Sequence, residues 1–244
     1  MIKTLLLDVE TAPNTCFTWG LWDQNISIKS LIKPSYLLCY TAKWAGEKKI
    51  HYKDKRDPDM LSSIHEMMSE ADVIIHYNGK RFDIPVLHGE FLLHSLTPPA
   101  PSRQIDLYQV VKSKFRFPSN KLAYVTEALG LSGKMTNSGF ELWIGCMNDD
   151  PKSWKEMKKY NIQDVVVLEE LYDVLLPWID SHPNKALYNE GAGCPNCGGN
   201  NLVRRGFAYT PTRKFQRYRC SDCGRWNRDT KSIPGSGVEI QAAK

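Results

Sequence analysis

The sequence predicts an α/β protein, a mixed sheet flanked by helices, followed by a small cysteine-bearing module. Three observations predict it. Short apolar runs alternate with segments of helical periodicity through most of the 244 residues. The longest helical segment, from Pro151 to Ile179, closes that alternation. Beyond it stand two close cysteine pairs and the whole positive excess of the chain.

The first element is Leu5-Leu6-Leu7-Asp8-Val9-Glu10-Thr11, a buried strand that surfaces carrying charge. Side chains alternate along a strand, so Asp8 and Glu10 leave one face, about 7 Å apart. Cys16 to Trp22 and Tyr36 to Trp44, rich in aromatic and β-branched residues, read as strands, and Lys49 to Tyr52 as one pairing back onto the second. Asp57-Pro58 reads as the N-cap and first position of a helix whose Met60, Leu61, Ile64, Met67 and Met68 recur at core spacing. Asp72 to His76 is a further buried strand. It runs into Asn78-Gly79, a turn at the strand end where open α/β sheets place their ligands.

Asp83 falls at the start of a helix toward His94, where a carboxylate also favours the helix dipole. Pro98, Pro99 and Pro101 mark a loop. Gln104 to Tyr108 reads as a strand carrying Asp106, a candidate acid that fits an N-cap equally well. Ser119 to Leu129 reads as a helix capped by Ser119 and stopped by Gly130. Residues 131–150 give a loop or a short helix near the site. On the long helix Tyr160 and Asp164 share a face that Leu168, Leu171 and Leu175 continue into the core. A carboxylate in such a stripe needs a partner.

Composition narrows the function classes. At 42% hydrophobic and 24% charged the chain is ordinary for a soluble protein, with no internal repeat. The apolar run Val165 to Leu176 is broken by Glu169, Glu170 and Asp173 and cannot span a bilayer. No basic region with a small-residue cleavage site opens the chain, so the expected location is the cytoplasm. The seven cysteines do not form a disulfide framework: Cys16, Cys39 and Cys146 stand alone.

Asp8, Glu10, Asp83 and Asp164 come from three separate elements, each beside buried apolar sequence. Carboxylates aimed at one point repel unless cations sit between them. Oxygen-only ligands favour hard ions, and such a set suits a pair of Mg²⁺ or Mn²⁺ ions clamping the oxygens of phosphoryl transfer.

In these motifs the sequence resembles the DnaQ-like, or DEDD, 3′–5′ exonucleases of the ribonuclease H-like fold. Asp8-Val9-Glu10 matches their Asp-x-Glu motif. Asn78 through Phe82-Asp83 matches Asn-x-x-x-Phe/Tyr-Asp, and Tyr160 with Asp164 matches Tyr-x-x-x-Asp of the tyrosine subclass. The wording of Tyr77-Asn78-Gly79 with Phe82-Asp83-Ile84-Pro85 is similar to the proofreading domain of family B DNA polymerases. The resemblance covers roughly the first three quarters of the chain, too little for a polymerase palm. It implies that Asp8, Glu10, Asp83 and Asp164 ligate two Mg²⁺ or Mn²⁺ ions and that Tyr160 orients the attacking water. It also implies that Thr11, Asn78 and Phe82 meet the 3′-terminal nucleotide. The expected activity is 3′–5′ hydrolysis of DNA, single-stranded at the 3′ end. An exoribonuclease or structure-specific nuclease with the same site is the alternative, and a replication or repair scaffold with an idle site is the alternative of another class.

Cys194-Pro195-Asn196-Cys197 and Cys220-Ser221-Asp222-Cys223 are two CxxC knuckles with tetrahedral zinc spacing, followed by Gly198 and Gly224. They resemble a zinc ribbon. A redox role needs a single CxxC beside a βαβ unit instead. Between the knuckles Arg204, Arg205, Arg213, Lys214, Arg217 and Arg219 interleave with Phe207, Tyr209, Phe215 and Tyr218, and Arg225, Trp226 and Arg228 follow. Such a pattern holds phosphates and stacks bases, or else docks a replication or repair protein. The expected organisation is a nuclease domain over 1–182, a linker over 183–192, the ribbon over 193–231 and a disordered tail over 232–244.

Overall fold

The computed structural model describes residues 2–133, 135–188 and 193–240. The chain forms two compact units, one of Lys3–Tyr172 and one beginning at Asp173.

In the first unit the strands are β1 (Thr4–Thr11), β2 (Thr15–Cys16), β3 (Leu31–Lys33), β4 (Leu37–Trp44), β5 (Ile50–Asp54), β6 (Val73–His76) and β7 (Arg103–Asp106). The helices are α1 (Met60–Glu70), α2 (Asp83–Leu93), α3 (Leu107–Lys114), α4 (Leu122–Ala128), α5 (Phe140–Met147) and α6 (Pro151–Leu175), whose last residues enter the second unit. The main sheet has the order β5-β4-β1-β6-β7. β1 lies at its centre, antiparallel to β4 and parallel to β6. A central strand is covered on both faces, which is why Leu5, Leu6 and Leu7 are all apolar and all fully buried. Leu5, Leu7 and Val9 pack with Ile64 and Met68 of α1 and Leu87 and Phe91 of α2. On another side of the fold Leu38 and Cys39 of β4 join Leu142, Cys146, Trp154 and Met157 of α5 and α6.

Several local expectations shift for identifiable reasons. The strand expected over Cys16 to Trp22 stops at Cys16: β2 pairs only with β3, and Phe17, Trp19 and Trp22 stand exposed beyond it. The residue before α1 is Asp59, not Asp57, whose carboxylate instead accepts from the Asp54 N–H at 2.9 Å. Ser119 accepts the N–H of Lys121, and the helix begins only at Leu122. The 131–150 stretch, expected as a loop or a short helix, contains the short α5, while α6 gives way at Leu176–Trp178 to a 3₁₀ turn containing Pro177.

The second unit holds β8 (Leu202–Tyr209), β9 (Lys214–Cys220) and β10 (Trp226–Arg228) in the antiparallel order β10-β9-β8. This compact unit takes in the chain from Asp173, and hydrogen bonds join the stretch after α6 to the knuckles. Asn196 Nδ2 donates to Leu176 O, Lys185 N–H donates to Pro195 O at 2.7 Å, and Arg225 donates to Pro177 O at 2.7 Å and Asp180 at 2.9 Å. Of the expected linker, 189–192 lies outside the described residues, as does 241–244 of the expected disordered tail. The described part of that tail is held. Ile233 N–H donates to Lys214 O at 2.8 Å and Val238 N–H to Thr212 O at 3.1 Å. No described helix is long and apolar enough to cross a membrane.

Candidate active site and four-cysteine centre

The central strand sets the site. The alternation that buries Leu5, Leu7 and Val9 turns Asp8 and Glu10 the other way, opposite Thr41 and Cys39 of β4. Asp164 arrives from α6, and one carboxylate oxygen from each of Asp8, Glu10 and Asp164 lies within 4.8 Å of the others. Asp164 is only 4% exposed. Three carboxylates this close repel strongly, and their oxygen-only donor set fits a hard divalent cation.

Asp83 is not in that trio. It begins α2 and its Oδ1 accepts the Val9 N–H at 3.0 Å, on the backbone between Asp8 and Glu10. Burial pushes its carboxyl up to about 7, against backbone hydrogen bonds that lower it. The turn before it is tightly built. Asn78 adopts a φ of 65°, which asparagine tolerates well, and Gly79 sits so close to His76 that a Cβ would meet that ring at 2.4 Å. Asp106 is an N-cap and more: its Oδ1 accepts from Tyr108 N–H at 3.1 Å and from Asn78 N–H at 2.8 Å. Buried His76, its pKa lowered by desolvation against the pull of Asp106, accepts from Gly79 N–H at 3.1 Å. Phe82, 43% exposed, immediately precedes α2. A cleft of about 630 Å³ adjoins Asn78, lined also by Tyr77, Arg81, Tyr108 and Lys121.

Tyr160 is buried in the cluster of α5 and α6, edge-on to Trp143 at 6.1 Å. Thr11 ends β1, where the pairing with β4 shifts register. Lys152, Lys155, Lys158 and Lys159 lie on the exposed face of α6.

Three supporting side chains escaped the sequence reading. Trp143 Nε1 donates to Glu10 Oε2 at 3.2 Å. Asn161 is fully buried; its Nδ2 donates to Asp8 Oδ2 and its Oδ1 accepts from Thr41 Oγ1, both at 2.6 Å. Asn161 follows Tyr160 and stands three residues before Asp164 on α6, which is the sequence signal that was available. Lys43 extends this layer by pairing with Glu169.

In the second unit the four thiols converge, with Sγ separations of 3.8 Å for Cys194–Cys223 and 3.6 Å for Cys197–Cys220. A tetrahedron of Zn–S bonds has edges of about 3.7 Å, so the set fits one zinc ion. Gly198 and Gly224 both take a φ of 80° and donate back to Cys194 O and Cys220 O, closing each knuckle.

A family model described as the RNase H superfamily matches residues 5–176. The chain belongs to that superfamily. Among solved structures, the family B DNA polymerase from the hyperthermophilic archaeon Pyrobaculum calidifontis is similar, with a TM-score of 0.56 and 16% identity. The match covers 87% of this chain and 31% of the polymerase, so the chain spans about a third of that protein's length, and the likeness is one of fold. No curated protein matches the chain. Superfamily membership supports a nuclease-type function, and the Asp8–Glu10–Asp164 and four-cysteine groups are the places where metal ions fit.

Two consequences for this RNase H superfamily site can be measured. Replacing Asn161 by Leu removes the donor that orients Asp8, and such supporting groups are worth about 10–100-fold in metal affinity. The Mg²⁺ concentration needed for half-maximal thermal stabilisation rises accordingly; an unchanged value sinks the assignment. The second concerns pH. The folded pKa of Asp83 lies above its ordinary value of 3.8, so its contribution to apo stability is full below about 4 and is lost as pH rises through about 7. A cation that recruits the ionised carboxylate must displace that proton, so if Asp83 is a ligand Mg²⁺ is expected to bind about tenfold more weakly at pH 6 than at pH 8. A flat profile in Asp83→Asn and a sloped one in the parent chain is the expected pair.

Proposed function

We propose that this chain is a cytoplasmic metal-dependent 3′–5′ exonuclease that hydrolyses DNA from a single-stranded 3′ end, with the basic ribbon gripping the substrate. The observation that carries the reading is the convergence of Asp8, Glu10 and Asp164 within 4.8 Å, from a central strand and the long helix. Asp8, Glu10, Asp83 and Asp164 would hold two Mg²⁺ or Mn²⁺ ions, and Cys194, Cys197, Cys220 and Cys223 one structural Zn²⁺. Bound there, the paired ions supply charge to the attacking and leaving oxygens.

The remaining roles belong to the protein. Tyr160 orients the attacking water through its hydroxyl; a phenol with a pKa near 10 does this by hydrogen bonding and not as a base. Asn161 and Trp143 fix the oxygens of Asp8 and Glu10, so the carboxylates need not reorganise during reaction. Asn78 and Thr11 contact the terminal nucleotide, and Phe82 stacks against it. Supporting this, Phe82 is open to solvent and the cleft beside Asn78 carries Arg81 and Lys121.

Oligonucleotides labelled at either end, as DNA and as RNA, test the proposal in Mg²⁺. Stepwise shortening of 5′-labelled DNA from its 3′ end is expected. Release of the 5′ nucleotide first, or internal cuts alone, overturns the polarity, and faster loss of RNA overturns the choice of DNA.

A further inference from the structure

The ribbon's basic residues do not form one surface. Residues directly opposite in an antiparallel pair share a face, and along a strand the faces alternate. Tyr209↔Lys214, Phe207↔Gln216, Arg204↔Tyr218 and Tyr218↔Asn227 therefore project to one side, together with zinc-site Cys220 opposite Leu202. On that side Lys214, Gln216, Tyr218 and Asn227 are partly covered, and the exposed residues Arg204, Phe207 and Tyr209 lie along β8.

The other side holds Val203↔Arg219↔Trp226 in one row and Arg217↔Arg228 in the next. All five of these residues are exposed. No carboxylate is paired with Arg217, Arg219 or Arg228 in this register: Asp222 bonds Asn201 and Asp229 approaches the Tyr218 hydroxyl at 3.4 Å. Like charges directly opposite each other destabilise a sheet, yet Arg217 and Arg228 are paired in this way. Each guanidinium lies over an aromatic ring, Arg217 at 4.8 Å from Trp226 and Arg228 at 4.1 Å from Phe215. Those contacts fix the cations without neutralising them. Arg225 takes no part, since it is spent on Pro177 O and Asp180.

We infer that this open face, Arg217, Arg219, Arg228 and Trp226, is the surface that binds a single-stranded nucleic acid, with phosphates on the arginines and one unpaired base on Trp226. The inference rests on the nucleic-acid reading above and sharpens it, because Arg204 and Lys214 fall outside the surface. Three uncompensated arginines fit a polyanion. A half-exposed indole beside them fits a base whose face is free, which a duplex does not offer.

The experiment uses the full zinc-loaded chain in buffer free of Mg²⁺ and Mn²⁺, so that no cleavage occurs, with a fluorescent homothymidine oligonucleotide as probe. Arg217→Ser/Arg228→Ser is compared with Arg204→Ser/Lys214→Ser, after both have been shown to retain zinc and parental circular dichroism. The open-face double variant is expected to weaken binding at least about tenfold and to reduce the salt dependence by about two phosphate contacts. The opposite-face variant is expected to stay within about twofold. Trp226→Ala is expected to lose about tenfold on the single strand. Equal losses from the two double variants overturn the inference, as does equal affinity for duplex or preferential binding of polyglutamate, which marks an acidic protein partner. Failure of the nuclease reading is separate: it appears as absent hydrolysis of a dinucleotide-scale substrate in Mg²⁺, whatever the ribbon binds.

Discussion

Asp8→Asn and Asp164→Asn are each expected to lower Mg²⁺-dependent hydrolysis by at least about 10³-fold, on the order of 4 kcal/mol of barrier. Each substitution keeps the shape of the side chain and removes a full charge from a group whose oxygens lie within 4.8 Å of two other carboxylates. The loss should fall on turnover and on the metal concentration needed for activity, since neither residue is required to close the core. Stability provides the contrast. Without cations these acids repel, so the variants should melt at the parental temperature or a few degrees above it in chelator, and should lose most of the stabilisation that Mg²⁺ gives the parent. Turnover within tenfold of the parent in both variants would sink the proposed site. Loss of activity accompanied by unfolding would instead make Asp164 a structural acid, and single-turnover assays together with melting curves separate the two.

The legible parts of this chain were those where one local rule acts alone. Three leucines followed by Asp8-Val9-Glu10 specify a strand and a face without any tertiary information, and β1 spans Thr4–Thr11 at the centre of the sheet. Asp164 in a stripe with Leu168 and Leu171 announced a buried carboxylate, and it is 4% exposed. What stayed hidden depended on partners distant in sequence. Phe17 to Trp22 has strand composition, but strand composition needs a neighbouring strand, and among the described residues the pairing with β3 goes no further than Cys16. Asn161 acquires its role only because α6 brings it to Asp8 and Thr41, 153 and 120 residues away. The ribbon's two faces were equally invisible, since the bulge between Arg204 and Phe207 resets the alternation that composition alone would continue.

Removing zinc, by Cys220→Ser or by a strong chelator, is expected to unfold the ribbon while sparing the nuclease unit. The reason lies in how little else holds it. Among the described residues of the second unit the buried apolar side chains are Leu175, Leu176, Ile179 and Ala186 ahead of the knuckles and Cys194, Phe215 and Cys220 from Gly193 onward. Phe215 is thus the one the three-stranded sheet buries that is not a zinc-site cysteine. A three-stranded sheet with one buried phenylalanine cannot offset the conformational entropy of ordering its residues, at about 1–2 kcal/mol of backbone each. A structural zinc contributes about 10–16 kcal/mol in comparable modules, more than the whole net stability of many domains. Hydrogen exchange reads the outcome directly. Amides of β8, β9 and β10 should lose protection, while those of β1, β4 and β6, which pack around Leu5, Leu7 and Tyr40, should keep it. Hydrolysis of a dinucleotide-scale substrate should survive, because Asp8, Glu10, Asp83, Tyr160 and Asp164 all belong to the other unit. Long single strands should be processed poorly, because the arginines of β9 and β10 no longer share a face. A ribbon that remained protected after its zinc was stripped would mean that residues 232–240, folded back through Ile233 and Val238, supply the missing core.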